Sequence, residues 1–251
     1  MRPLRLGLVA YPGLGGSGIV ATELAERLAR MGHQVYLFAT ERPFRLAKGS
    51  PVVYVPVDLP YYPVFPGPLY TLSLAGTLER EARRLGLDLV HTHYAIPHAA
   101  AAYLAFGEAF PLVHTLHGTD VSLLGMDPAF HGPTRRALQA ARATTAVSRA
   151  LAKEAERAFG VRPRVIHNAV DPERFRPRPE RKGRYAEEGE WLLLHASNFR
   201  PIKRVPDLVR AFAKVRRRLP ARLLLLGKGP EEAEARRVAE ELGVAPWVTF
   251  H

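Results

Sequence analysis

The sequence predicts an α/β protein with parallel, doubly wound sheet, and two observations carry that expectation. Apolar runs of strand length alternate along the chain with longer helical segments, the pattern of a parallel sheet covered on both faces. The first run, Leu4 to Ala10, leads through Gly13-Leu14-Gly15-Gly16-Ser17-Gly18 into an amphipathic segment, Ile19 to Met31. A strand, a glycine turn and a helix start bind phosphate, because glycine lets the backbone approach an anion and the helix start offers unpaired N–H groups. Gly13, Gly15 and Gly18 also satisfy G-x-G-x-x-G, although Tyr11-Pro12 sets the strand further from the glycines than a dinucleotide fingerprint wants. Both a dinucleotide and another phosphate ligand stay open on this motif.

The first helix carries Leu24, Ala25, Leu28 and Ala29 on one stripe against Glu23, Glu26, Arg27 and Arg30, and Gly32 stops it. Strands follow at Gln34 to Ala39 and Val52 to Val57. The proline-rich stretch from Pro60 to Pro68, with Tyr61, Tyr62 and Phe65, is excluded from helix and central strand and reads as an aromatic loop. Helix resumes over Leu69 to Leu85. Leu87 to His91 is the next strand, with Thr92-His93-Tyr94 beyond it and a small-residue helix over Pro97 to Phe106. Strand Leu112 to Leu116 leads into His117-Gly118-Thr119-Asp120. Thr144 to Val147 and Arg164 to His167 supply further strands around a helix, Ala150 to Phe159. Ligands of open parallel sheets sit beyond the carboxyl ends of the strands, where the glycine turn, His93-Tyr94 and His117 to Asp120 all fall.

Asn168 to Arg184 breaks the rhythm with dense charge and Pro172, Pro177 and Pro179, after Pro163 upstream, and reads as a crossing between domains at 1–170 and 171–251. A second alternation follows: strand Trp191 to Ala196, helix Val205 to Leu219, strand Arg222 to Leu226, helix Glu231 to Leu242 and strand Val248 to His251. Ending on its third strand, this second sheet is expected to be incomplete at the C-terminus.

At 251 residues, 47% of them hydrophobic and 24% charged, the chain has the make-up of a globular protein. With no cysteine there is no disulfide and no thiolate chemistry. The N-terminal apolar run is too short for a signal peptide or a membrane span, which points to the cytoplasm. A net charge of +12 suggests an acidic partner, whether nucleic acid, anionic lipid or a phosphorylated small molecule. Most of that charge is arginine spread over helices, without the module of a nucleic-acid binder.

The loop Asn198-Phe199-Arg200-Pro201-Ile202-Lys203-Arg204 is the more specific motif. A guanidinium and an ammonium three residues apart can converge on a diphosphate, and cations at a helix start call for an anion to offset the dipole. His91-x-His93 would share a strand face, yet no carboxylate accompanies it and no Asp-x-Asp pair exists, so no metal is expected. A serine hydrolase elbow and a Walker A motif are both absent from the sequence.

Together Gly15-Gly16-Ser17-Gly18, His93-Tyr94-Ala95-Ile96-Pro97-His98, Thr115-Leu116-His117-Gly118-Thr119-Asp120, Thr145-Ala146-Val147-Ser148, Asn168-Ala169-Val170-Asp171 with Phe175, and Asn198 to Arg204 resemble the retaining glycosyltransferases of the GT-B fold. Within them the likeness is greatest to the bacillithiol-pathway branch, which transfers N-acetylglucosamine from UDP to L-malate. The resemblance implies two Rossmann-like domains facing a cleft, the acceptor on the first and the nucleotide sugar mostly on the second. It implies donor binding by Gly15, Gly16, Asn198, Arg200 and Lys203, with Arg200 and Lys203 on the diphosphate. His117 would lie by the sugar at the reaction centre, and Ser17, Tyr94, Thr119 and Arg135 would hold a small anionic acceptor. No cofactor or metal is implied beyond the UDP-sugar co-substrate. Neither nucleic acid nor membrane insertion is called for, and a homo-oligomer stays open.

The resemblance further implies transfer with retention and no enzymic nucleophile, the leaving phosphate helping to deprotonate the acceptor. It places a donor-binding Glu-x₇-Glu loop in sequence following residue 251. From the residues alone two rivals stand: an NAD(P)-dependent oxidoreductase, on the glycine spacing and Glu41 beyond the second strand, and a non-catalytic nucleotide-sugar-binding fragment.

Overall fold

The computed structural model describes residues 2–13, 15–65 and 67–251; Leu14 of the glycine stretch and Pro66 of the aromatic loop lie outside the described residues. The chain divides into two compact units, Met1–Ala169 and Val170–His251.

In the N-terminal unit the strands are β1 (Arg5–Val9), β2 (Gln34–Ala39), β3 (Val53–Pro56), β4 (Leu89–His93), β5 (Leu112–Leu116), β6 (Ala143–Ala146) and β7 (Arg164–Val165), with α1 (Gly16–Arg30), α2 (Tyr70–Leu85), α3 (Ala100–Phe106), α4 (Thr119–Ser122), α5 (Pro128–Ala140) and α6 (Arg149–Phe159) between them. Among the described residues the strands form one parallel sheet in the order β3-β2-β1-β4-β5-β6-β7. The order reverses between β1 and β4, the crevice where doubly wound sheets take ligands.

Strand side chains alternate between faces, and both faces are dressed. Leu6, Leu8, Val35 and Leu37 pack under α1 through Ala21 and Ala25, while Val9, Phe38 and Val90 pack under α2 and α3 through Leu74, Leu78, Ala101 and Ala102. A third cluster joins Leu116 and Ala146 to α5 and α6 through Leu138, Leu151 and Phe159.

Three local differences from the sequence expectations matter for the site. The helix after the glycines begins at Gly16 rather than Ile19, so Ser17 and Gly18 lie in its first turn. Strand β4 runs to His93, two residues beyond the expected His91, because its register continues along β5 with His93 opposite Thr115. Helix α5 was not expected, since His131, Gly132 and Pro133 break the apolar period; Asp127 nevertheless caps it by accepting the Ala129 N–H, and Pro128 opens it.

The C-terminal unit holds β8 (Trp191–Ala196), β9 (Ala221–Leu226) and β10 (Val248–Phe250), parallel in the order β10-β9-β8, with α7 (Val205–Arg216) and α8 (Glu232–Glu241). Both helices cover one face, where Val209, Phe212, Ala235 and Val238 meet Ala221, Leu223 and Leu225. On β8, Trp191 and Leu194 are exposed. Among the described residues, no helix is long and apolar enough to cross a membrane.

Candidate active site

In the N-terminal unit the loops after β1, β4 and β5 leave the sheet side by side, since β1 pairs with β4 and β4 with β5. After β1 the chain turns back so tightly that a Cβ on Gly18 would fall 2.2 Å from the Tyr11 carbonyl oxygen, which explains that glycine by packing alone. At Gly15 and Gly16 a Cβ would meet nothing within 4 Å. Open space therefore lies beside a helix start that has no capping side-chain hydrogen bond and no acidic residue in its first turn. Ser17 is half-buried there.

After β4, Tyr94 takes φ 88°, a left-handed conformation costly for a side chain of this size. Its phenol meets the Thr119 hydroxyl at 2.5 Å. Asp120 anchors the arrangement. Fully buried, its carboxylate accepts the N–H groups of Ala95 (2.9 Å), Gly118 (2.7 Å) and His117 (3.0 and 3.1 Å), tying the end of β4 to the end of β5. Burial pushes its carboxyl above the ordinary value, against the opposing pull of those N–H groups.

A row of imidazoles runs behind these loops. His93 Nδ1 and His117 Nε2 are 3.0 Å apart, and the His91 ring lies 4.5 Å from that of His93. His91 Nε2 pairs with the Thr115 hydroxyl at 2.7 Å, which in turn pairs with Thr145. His98 donates from Nδ1 to the His93 carbonyl (2.6 Å), and its Nε2 meets the Tyr70 hydroxyl at 3.0 Å. The Tyr11 ring packs 4.4 Å from His98 and edge-on to Tyr94. Burial lowers His91, His98 and His117 to about 4 and His93 well below the ordinary 6.5, so all four imidazoles are neutral at pH 7. Burial also raises the Tyr11 phenol to about 12, with Tyr94 and Asp120 adding to the effect. Among the described residues no three His, Asp or Glu side chains are placed to share a metal ion.

The structure therefore brings His117, Tyr94 and Thr119 together and sets Ser17, Gly15 and Gly16 on the connection leaving the neighbouring strand. Arg135 lies exposed on α5. The sequence assigned no role to Asp120, His93, His98 or Tyr11, although the first three stand inside the quoted motifs. Their contacts depend on how neighbouring strands and the loops after them are placed, which a linear motif does not display.

In the C-terminal unit the loop after β8 is held from beneath. Phe199 is fully buried at φ 38°. Its N–H donates to the Ser197 hydroxyl, which also pairs with His195 Nε2 at 2.8 Å, and its carbonyl accepts the Glu231 N–H at 3.0 Å. The Glu231 carboxylate accepts the Val205 N–H at the start of α7. A Cβ on Gly227 or Gly229 would fall 1.9 Å from the Ser197 carbonyl oxygen or 2.1 Å from that of Asn198, so the loops after β8 and β9 pack backbone on backbone.

Above this base Arg200 and Lys203 are exposed on the turn Pro201–Lys203. Arg200 Nε donates to the Asn198 side-chain oxygen at 3.3 Å. Asp207 in the first turn of α7 is engaged by Arg204 and Arg210. Among the described residues no carboxylate pairs with Arg200 or Lys203, so the loop presents uncompensated positive charge.

Residues 14–174 match the family model described as Glycosyltransferase Family 4. The chain is 40% identical to the N-acetyl-alpha-D-glucosaminyl L-malate synthase of Bacillus anthracis, the match covering 98% of this chain and 67% of that protein. It is 31% identical to the D-inositol 3-phosphate glycosyltransferase of Kineococcus radiotolerans over 85% of this chain and 56% of that protein. The crystal structure of Anabaena Alr3699/HepE in complex with UDP and glucose superposes with a TM-score of 0.76 at 18% identity, covering 99% of this chain and 69% of that one. This chain thus spans about two thirds or less of the length of these two sequence relatives.

Proposed function

The chain belongs to glycosyltransferase family 4 and has the GT-B architecture, and from that premise we propose that the protein transfers N-acetylglucosamine from UDP to a small hydroxy acid such as L-malate, with retention and without a metal. Family membership decides against the dinucleotide-dependent oxidoreductase that the glycine spacing also allowed. The observation that carries the proposal is the pair Arg200 and Lys203: two exposed cations on a braced loop, with no carboxylate of the described residues to neutralise them. A nucleoside diphosphate supplies the missing charge, Arg200 by two parallel hydrogen bonds and Lys203 as a point charge.

In this reading Asn198 aligns Arg200, and the backbone at Gly15 and Gly16 offers N–H groups to an anion. Ser17, Tyr94 and Thr119 give hydroxyls to the acceptor and Arg135 a cation for its carboxylates, while His117 lies against the sugar. The bond from the anomeric carbon to the β-phosphate oxygen breaks as the acceptor oxygen bonds that carbon on the same face. The acceptor's proton passes to the leaving phosphate, and Arg200 and Lys203 stabilise the charge left on the diphosphate.

Calorimetry with UDP and an assay of UDP release from UDP-N-acetylglucosamine, with L-malate as acceptor, test the proposal on wild-type protein, Arg200→Ala and Lys203→Ala. Each variant is expected to bind UDP about tenfold more weakly and to turn over on the order of a hundredfold more slowly. Wild-type binding and turnover in both variants overturn it. UDP binding without turnover by the wild-type chain marks a nucleotide-sugar-binding piece instead.

A further inference from the structure

The pair His93 and His117 contains one shared proton and one nitrogen with nowhere to place another. Their 3.0 Å contact runs from His93 Nδ1 to His117 Nε2. His93 is buried on every side: the His91 ring lies on it, the His98 imidazole holds its carbonyl, and its own Nε2 has no hydrogen-bond partner. A neutral imidazole carries one N–H, so the contact can be made in two ways. If His117 donates from Nε2, His93 must carry its proton on Nε2, a buried N–H with no acceptor. If His93 donates from Nδ1, the unmatched atom is a bare ring nitrogen, and buried acceptors go unmatched more readily than buried N–H donors. The second arrangement spends His117 Nε2 as an acceptor and leaves the proton of His117 on Nδ1.

We infer that His93 is a positioning residue that holds His117 as its Nδ1–H tautomer, so that His117 presents a hydrogen-bond donor, and not a base, at the C-terminal end of β5. The neighbours add no competing charge. His91 is engaged by Thr115 and His98 by Tyr70 and the His93 carbonyl, while the Asp120 carboxylate is taken up by three backbone N–H groups, that of His117 among them. Only the assignment of that donor to a sugar or acceptor oxygen rests on the glycosyltransferase reading. There it has a definite consequence: His117 cannot take the acceptor's proton, which must leave with the phosphate.

Long-range proton–nitrogen correlation spectra of the chain labelled with ¹⁵N-histidine read the tautomer directly at neutral pH, the His117 signals being assigned by their loss in His117→Gln. A pyrrole-type Nδ1 and a pyridine-type Nε2 are expected, and a protonated Nε2 overturns the inference. His93→Phe keeps the ring and removes its nitrogens, so His117 should shift toward the Nε2–H form that a free imidazole favours. His93→Asn places an amide N–H near the position of Nδ1 and should keep the native form. A native tautomer in the Phe variant overturns the positioning role; if that variant does not fold, the wild-type and Asn spectra decide. Failure of the glycosyltransferase reading looks different: no UDP release from any UDP-sugar, with the His117 tautomer unchanged.

Discussion

The two units place chemistry at the ends of parallel strands by opposite means. In the N-terminal unit the groups are sunk into the sheet and locked to one another: Asp120 holds three backbone N–H groups and His93 holds His117. In the C-terminal unit Arg200 and Lys203 stand exposed, and only the loop beneath them is fixed, by Phe199 and Glu231. A sheet covered on both faces has the interior volume to desolvate a polar network, whereas a three-stranded sheet with helices on one face does not. The first arrangement suits a small ligand needing directional contacts, and the second suits a diphosphate that supplies its own charge. The same contrast makes the units fail under different stresses.

Acid should separate them most. His93, His98 and His114 are fully buried, and burial lowers His98 to about 4, His114 to about 3 and His93 well below the ordinary 6.5. As pH falls below 6.5 the unfolded chain takes up protons that the folded unit refuses, so stability present above that value is lost as pH drops toward 4. Each histidine costs ~1 kcal/mol per pH unit over that window, or several kcal/mol together. In the C-terminal unit Asp207 is held below its ordinary value by Arg204 and Glu234 by Arg237. Those groups contribute stability above the ordinary carboxylate range and lose it only on acidification through their lowered values. Both tryptophans, Trp191 and Trp247, lie in the C-terminal unit. Far-ultraviolet circular dichroism should therefore fall at a higher pH than tryptophan fluorescence changes; coincident transitions would break the comparison.

Asp120→Ala attacks the locked network at neutral pH. It leaves three backbone N–H groups without their acceptor, and at 1–3 kcal/mol for each buried unsatisfied donor the N-terminal unit should lose about 3 kcal/mol or more. Thermal unfolding should shift down in the circular dichroism signal and stay in place in tryptophan fluorescence. An unchanged melting temperature would mean that water replaces the carboxylate, and that the network is looser than its distances imply.

The alternation of strands and helices was legible because most strands are apolar runs, though β6 (Ala-Thr-Thr-Ala) and β7 (Arg-Val) are not, and the loop of Arg200 and Lys203 because cations at a helix start call for a counter-charge. Helix α5 was hidden by Pro133 within it, even though Asp127-Pro128 is a helix-start signal that could have found it. The pairing of His93 with His117 was hidden for a different reason. These residues are 24 apart in sequence and meet only because β4 and β5 run in a register that sets His93 beside Thr115, two residues before His117. Glu231 likewise reads as an ordinary helix-start acid, and only the folded loop shows it accepting the Val205 N–H and donating to the Phe199 carbonyl.

The smallest effect is expected on the uncovered face of the C-terminal sheet. Leu194 sits on edge strand β8 at 61% exposure, opposite Leu224 of β9. A lysine there keeps its stem along the sheet and its ammonium in water, and a charged edge discourages strand-to-strand association. Leu194→Lys should change the stability of this chain by no more than about 0.5 kcal/mol, whereas lysine at Leu37, fully buried under α1, should prevent folding of the N-terminal unit. Urea unfolding followed by tryptophan fluorescence reads the first, since Trp191 lies on the same strand. A loss of 2 kcal/mol or more would show that Leu194 is covered in solution. Sedimentation would then separate the two ways of covering it: a dimer that dissociates on Leu194→Lys places a second copy on this face, and a monomer before and after places part of the same chain there.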